Sequence, residues 1–358
     1  MNGRTYGFFL GANAPTGFFS YYDDLIDLSR ANEVYILKGG PGTGKSSFMR
    51  RVAKRLVEEG LECEYVPCSS DPDSLDGAIF REIGVAMVDG TSPHVVEPKY
   101  PYAVERYYHI GAFVDADALR PARDDIVAAT EHYRERYPSA YRCISAAKAI
   151  DDDICRSVIT ADAIEHTIKR AQGVAKREIR RTGREPIERR RFLTANSPKG
   201  IVTLTDTVDA LADRVYELSS DFGLVPHFLA TIRLAALEAG CEIVSCYSPM
   251  APESGLEHLF IPSLGLAFTV CETESPYRRI HLDGYLDHEL LRSQKQRIRF
   301  LRRTRSALMD EAVDDLAEAK RRHDELEKLY IPSVDFDSLT RAADSLANTI
   351  ANRYLSCL

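Results

Sequence analysis

Gly39-Gly40-Pro41-Gly42-Thr43-Gly44-Lys45-Ser46 fits the pattern G-x-x-x-x-G-K-[ST] at every fixed position. Glycines in such a loop let the backbone curl until consecutive N–H groups face a concavity of phosphate size, and the helix that follows adds its positive N-terminal dipole. The stretch therefore predicts a nucleoside triphosphate site. Gly40, Pro41, Gly42, Thr43, Gly44, Lys45, Ser46 and Ser47 are expected around the phosphates, with Lys45 reaching the β and γ groups and the Ser46 hydroxyl serving Mg²⁺. The flanks agree with this reading. Val34-Tyr35-Ile36-Leu37 is a short apolar run suited to a buried parallel strand. Behind Lys45, Phe48, Val52 and Leu56 recur at helical spacing, and Gly60 stands where that helix should stop.

The chain of 358 residues is 44% hydrophobic and 28% charged, as expected of an ordered globular protein. A formal charge of −8 argues against a nucleic-acid partner. No apolar run reaches the roughly 18 residues of a membrane span, and the first fifteen residues lack a signal-peptide core. These features predict a cytoplasmic protein with no membrane partner. Eight cysteines without a C-x-x-C pair fit reduced thiols in that compartment.

The sequence is written twice. Phe9-Leu10-Gly11-Ala12-Asn13-Ala14-Pro15-Thr16-Gly17 returns as Phe192-Leu193-Thr194-Ala195-Asn196-Ser197-Pro198-Lys199-Gly200, with six identities in nine at an offset of 183. Val34–Leu37 returns at Val215–Leu218, Cys63–Cys68 at Cys241–Cys246, Ile83–Ala86 at Leu264–Ala267, and Ser92-Pro93 at Ser275-Pro276. Ala147-Lys148 with Asp152 returns as Ala319-Lys320 with Asp324, so the duplication runs almost to the C-terminus. The break falls in Lys169–Arg191, where ten of 23 residues are basic and Gly173 and Gly183 are expected to interrupt any helix. Residues 1–180 and 190–358 are thus expected to form two related α/β domains built on parallel sheets. Each should carry a helical arm: about Ala116 to Ile168 in the first, and Asp287 to Leu329 in the second. The second copy reads Ser220-Asp221-Phe222-Gly223-Leu224-Val225-Pro226-His227, with Pro226 and His227 where Lys45 and Ser46 stand. That loop lacks the cation and most of the glycines.

A Mg²⁺ site beside a phosphate loop needs a second carboxylate, usually closing an apolar strand. Val85-Ala86-Met87-Val88-Asp89 supplies one, and the interval from Lys45 to Asp89 suits helix, strand, helix, strand, with the second helix starting near Ser74. Ser46 and Asp89 are the expected metal residues. Lys45, Asp89 and His94 are the expected catalytic ones, His94 resting on position alone. No Glu follows Asp89. The acidic run Ser69-Ser70-Asp71-Pro72-Asp73-Ser74-Leu75-Asp76 could face an acceptor, supply a base or cap a helix. The basic strip Arg292, Lys295, Arg297, Arg299, Arg302, Arg303 and Arg305 reads as a solvated helix face.

The motifs at Phe9–Phe18, Lys38–Ser46, Cys68–Gly77, Val88–His94 and His323–Tyr330 together resemble an uncharacterised bacterial family of tandem P-loop ATPases, often described as nucleotide kinase-like. The resemblance covers nearly the whole chain and implies ATP binding without naming a substrate. Relatives often keep a working glycine loop in the second half; this chain does not. The expectation is one Mg·ATP site serving an ATPase switch, with a small-molecule or nucleotide kinase and a non-hydrolysing interaction module as alternatives. The phosphoryl acceptor or protein partner and a homo-oligomeric state stay open.

Overall fold

The β-prone segments of each repeat build a six-stranded sheet of their own. The computed structural model describes residues 2–92, 95–273 and 276–355, so His94 and Ser275 lie outside the described residues. In the first repeat the order is β1 (Thr5–Gly7), β2 (Gly11–Ala14), β3 (Gly17–Ser20), β4 (Glu33–Lys38), α1 (Lys45–Glu58), β5 (Cys63–Cys68), β6 (Asp71–Phe80), β7 (Val85–Asp89) and β8 (Glu105–His109). The arm follows as α2 (Ala116–Leu119), α3 (Arg123–Arg134), α4 (Tyr137–Val158) and α5 (Ala161–Glu178). The second repeat runs β9 (Ile187–Arg191), β10 (Thr194–Ser197), β11 (Gly200–Thr203), α6 (Asp206–Leu211), β12 (Arg214–Ser219), α7 (Val225–Glu238), β13 (Glu242–Tyr247), β14 (Leu256–Ile261), β15 (Leu266–Thr269) and β16 (Arg278–His281), then α8 (His288–Tyr330) and α9 (Phe336–Tyr354).

The sheets have orders β1-β5-β6-β7-β4-β8 and β9-β13-β14-β15-β12-β16, one a repeat of the other. In each, three strand contacts are parallel and two are antiparallel. The antiparallel pairs arise where the sequence reading fails: the helix expected from Ser74 is strand β6. Leu75 through Phe80 is buried on both faces of the sheet, and an amphipathic helix could not bury that unbroken run. A second correction concerns Gly173, which sits inside α5 without breaking it; only Gly183 lies in the turn beyond.

The halves meet about a pseudo-two-fold axis. Phe9 and Phe192 exchange backbone hydrogen bonds of 2.9 Å in both directions, and each of Asn13 and Asn196 donates its side-chain amide to the other's carbonyl at 2.9 Å. Each pair is separated by the repeat offset, as symmetry about one axis requires. The arms then cross over. Leu339, Ala343, Leu346, Ala347 and Ile350 of α9 join Phe48, Val52 and Leu56 of α1 in one core. Ala163, Ala171 and Val174 of α5 join Phe228, Leu229 and Ile232 of α7 in another. Each sheet's major helix is therefore covered by the other repeat's last helix. Between them α4 lies along α8, a single helix of 43 residues and ~65 Å at 1.5 Å per residue. Among the described residues no helix is long and apolar enough to cross a membrane.

Part of each basic stretch is spent on such contacts. Arg297 and Arg305 of α8 pair with Asp153 and Asp151 of α4, and Arg302 with Asp221. Arg190 pairs with Asp24 at 2.6 Å, and the fully buried Arg191 with Glu64 at 2.6 Å. Burial alone would raise the Glu64 carboxyl pKa. The guanidiniums of Arg191, Arg81 and Arg189 outweigh it and hold the group at about 2.

A depressed carboxyl pKa adds stability above the unfolded value of about 4.3 and loses it as pH falls toward 2. Glu64→Gln leaves Arg191 buried without its charge partner, which should cost about 3–5 kcal/mol at neutral pH. The urea midpoint of the wild type should exceed that of the variant at pH 7, and the gap should close between pH 4 and pH 2. A gap independent of pH would remove the charge pair from the account.

Candidate functional site

Strand β4, flanked by β7 and the edge strand β8, ends at Lys38, from which the glycine loop rises to the start of α1. Gly44 caps α1 in the left-handed region (φ 86°) and contributes no side chain, so no side-chain cap closes this helix end. Gly42 is also left-handed, at φ 64°. Thr43 Oγ1 donates to the Gly40 carbonyl at 2.8 Å and ties the loop across itself. The Lys45 ammonium folds back on the loop, donating to the Gly39 carbonyl at 3.0 Å and the Gly40 carbonyl at 2.8 Å. Its nitrogen lies 3.6 Å from Asp89 Oδ2.

Asp89 ends β7, the neighbour of β4, and its Oδ1 accepts from the N–H (2.9 Å) and hydroxyl (2.6 Å) of Thr91. Lys38 holds the following turn, donating to the Gly90 carbonyl at 2.7 Å and the Val96 carbonyl at 3.1 Å. Ser46 Oγ accepts from the Leu75 N–H at 2.8 Å, so the acidic run borders the loop. Lys45 and Asp89 thus share one place, while Ser46 and the exposed Ser47 follow Lys45 on the first turn of α1. The acidic run is engaged elsewhere: Asp71 pairs with Lys320 at 3.4 Å, Asp73 with Lys199, and Asp76 accepts from the Tyr22 hydroxyl at 2.9 Å.

The loop is roofed by the other repeat. Glu327 on α8 accepts from the Gly42 N–H through Oε1 at 3.2 Å. A Cβ at Gly40 would lie 3.0 Å from the Tyr330 ring, one at Gly42 would lie 2.9 Å from the Glu327 carbonyl oxygen, and one at Gly44 would lie 2.7 Å from Leu339. These glycines have a packing reason as well as a conformational one. Donor atoms of His323, Asp324 and Glu327 lie within 4.8 Å of one another beneath this roof. Asp324 also holds Lys320 at 2.5 Å, and His323 stands edge-on to the Tyr133 ring at 5.2 Å. Burial pushes the His323 pKa below its ordinary value, with Glu327 and Asp324 opposing and Lys320 and Lys45 adding to the fall. A neutral imidazole beside a carboxylate can pass a proton.

Sequence reasoning missed this roof because it assigned each arm to its own half. The signal was present. Lys148–Asp152 and Lys320–Asp324 are kept in both arms, whereas Asp151 and Cys155 stand where His323 and Glu327 do, at the same offset of 172. The structure places Cys155 against Gly223 of the second loop (Sγ 2.9 Å from its would-be Cβ), mirroring Glu327 against Gly42. The register of β15 on β12 repeats that of β7 on β4 and brings Val270 to the place of Asp89. The counterparts of Asp89, Lys45 and Glu327 are missing together from the second half, although Asp221 and Asp283 still put carboxylates at its loop.

Comparison with protein-family models, with curated proteins and with solved structures finds no match to the chain.

Gly42→Ala should destabilise the chain by about 1–2 kcal/mol through the left-handed backbone alone, and its methyl should also lift α8 from the loop. Limited proteolysis at the α8–α9 turn, Ile331–Ser333, should accelerate along with a lowered urea midpoint. Unchanged proteolysis would mean that the roof is not seated on Gly42.

Proposed function

We propose that the first repeat binds Mg·ATP at the Gly40–Ser47 loop and hydrolyses it slowly, as an ATPase switch in a P-loop-type fold. The observation that carries this reading is the convergence of an uncapped helix N-terminus, the Lys45 ammonium and the Asp89 carboxylate at the end of adjacent strands. Backbone N–H groups of Gly42 to Ser46 would cradle the phosphates, and Lys45, freed from the Gly39 and Gly40 carbonyls, would cover the β and γ oxygens. Ser46 Oγ and Asp89 Oδ2 would hold a hydrated Mg²⁺. The first retains its proton while accepting from Leu75, and the second faces only the nearby Lys45 among the contacts described. Bound Mg²⁺ would supply charge neutralisation for the transferred phosphoryl group.

Two observations favour hydrolysis coupled to the arms over a kinase. The acidic run that might have received an acceptor is tied by Asp71 and Asp73 to lysines of the second repeat. The arm also touches the loop backbone directly, so a bound phosphate and the arm must adjust to one another.

Titration calorimetry should give one Mg·ATP per chain, and Lys45→Ala should abolish the heat without unfolding the protein. Two equivalent sites, or unchanged affinity in folded Lys45→Ala, would overturn the assignment. Asp89→Asn removes a charge at constant size, so binding should persist while turnover falls about 10²-fold or more. Wild-type turnover and Mg²⁺ dependence in that variant would move the metal ligand elsewhere.

A further inference from the structure

We infer that Glu327, delivered from the second repeat by α8, is the catalytic carboxylate of the first repeat's nucleotide site, where it orients and deprotonates the attacking water. This inference rests on the ATPase reading above and goes beyond it by naming the proton acceptor and its origin.

Strand β7 ends in Asp89 and continues with Gly90, so the strand itself offers no carboxylate beyond the metal ligand. Glu327 fills that gap from outside. It lies one hydrogen bond, 3.2 Å, from the Gly42 N–H, a donor that the phosphates of a bound nucleotide would take. Losing that donor to phosphate leaves the carboxylate beside the transferring group while α8 stays packed on Gly40 and Gly42. His323 backs it, its Nδ1 3.8 Å from Glu327 Oε1. The internal duplication acts as a control. Both arms keep the lysine–aspartate pair that braces the helix, but only the arm over the intact loop carries glutamate and histidine; the arm over the degenerate loop carries Cys155 and Asp151. A purely structural role would give no reason for the difference to track the loss of Lys45 and Asp89 equivalents.

In the step assigned to it, the water oxygen bonds to the γ phosphorus as the bond from that phosphorus to the β–γ bridging oxygen breaks. The bridging oxygen keeps the electron pair and leaves with ADP. The water proton passes to the Glu327 carboxylate and then to solvent. Inorganic phosphate, ADP and one proton are the products.

The test compares Mg·ATP binding by calorimetry with steady-state phosphate release for wild type, Glu327→Gln, Glu327→Asp and Cys155→Ala. Glu327→Gln should bind ATP at least as tightly as wild type, because the anion competing for the Gly42 N–H is gone, and should lose about 10²-fold in kcat. Glu327→Asp should recover part of that loss, and Cys155→Ala should keep wild-type turnover. Wild-type kcat in Glu327→Gln overturns the inference, as does a loss confined to ATP affinity. Should the Gln variant fail to fold, wild-type kcat in Glu327→Asp overturns it equally, since a shorter side chain withdraws the carboxylate by a methylene. A wild-type protein that binds ATP without releasing phosphate refutes the catalytic role and leaves the nucleotide site standing; one that binds no ATP refutes both.

Discussion

The contact between Glu327 and the Gly42 N–H is where the two repeats become one site. A glycine loop at the end of a strand is a local device, made by backbone conformation and a helix N-terminus. Here it is closed by a helix whose Glu327 lies 285 residues later in the sequence, and α9 completes the hydrophobic cover of α1. The first repeat's loop helix has no such cover of its own. The reciprocal packing of α5 on α7 applies the same constraint to the other half.

The crossover explains why the degenerate copy is retained. Its sheet carries the root of α8 and α9, and its β9 strand supplies Arg191 to the buried carboxylate of Glu64. Removing the second repeat would strip α1 of its apolar cover and leave Glu64 buried beside Arg81 alone. Divergence of the Ser220–His227 loop leaves that framework in place, whereas loss of the framework would uncover α1. The asymmetry is confined to a few side chains, since strand order and register are preserved between the two sheets.

Much of this was legible in the sequence because it is local. The strand before the glycine loop, the helix from Lys45, the strand ending at Asp89 and the duplication all follow from short-range pattern, and the structure has them at those places. Strand β6 was misread because its polar start, Asp71 to Ser74, imitates a helix cap, while its apolar end is buried by a sheet partner that only the tertiary fold supplies. The roof over the loop was invisible for a related reason. Periodicity shows that α8 and α9 are amphipathic but not which surface they cover, and the apolar pattern of an arm is the same whether it packs on its own half or on the other. The divergence of His323 and Glu327 from Asp151 and Cys155, beside the lysine–aspartate pair kept in both arms, was the sequence feature that set the two arms apart.

The central claim is that the phosphates of one nucleotide take the place now held by the Glu327 carboxylate. A crystal structure with Mg²⁺ and a non-hydrolysable ATP analogue tests it most directly. The account predicts the triphosphate on the N–H groups of Gly42 to Ser46, Lys45 turned from the Gly39 and Gly40 carbonyls onto it, Glu327 released from Gly42 but still beside the γ phosphate, and no nucleotide at Ser220–Val225. Nucleotide bound at the second loop, or a triphosphate site elsewhere with Glu327 still holding the Gly42 N–H, would contradict it.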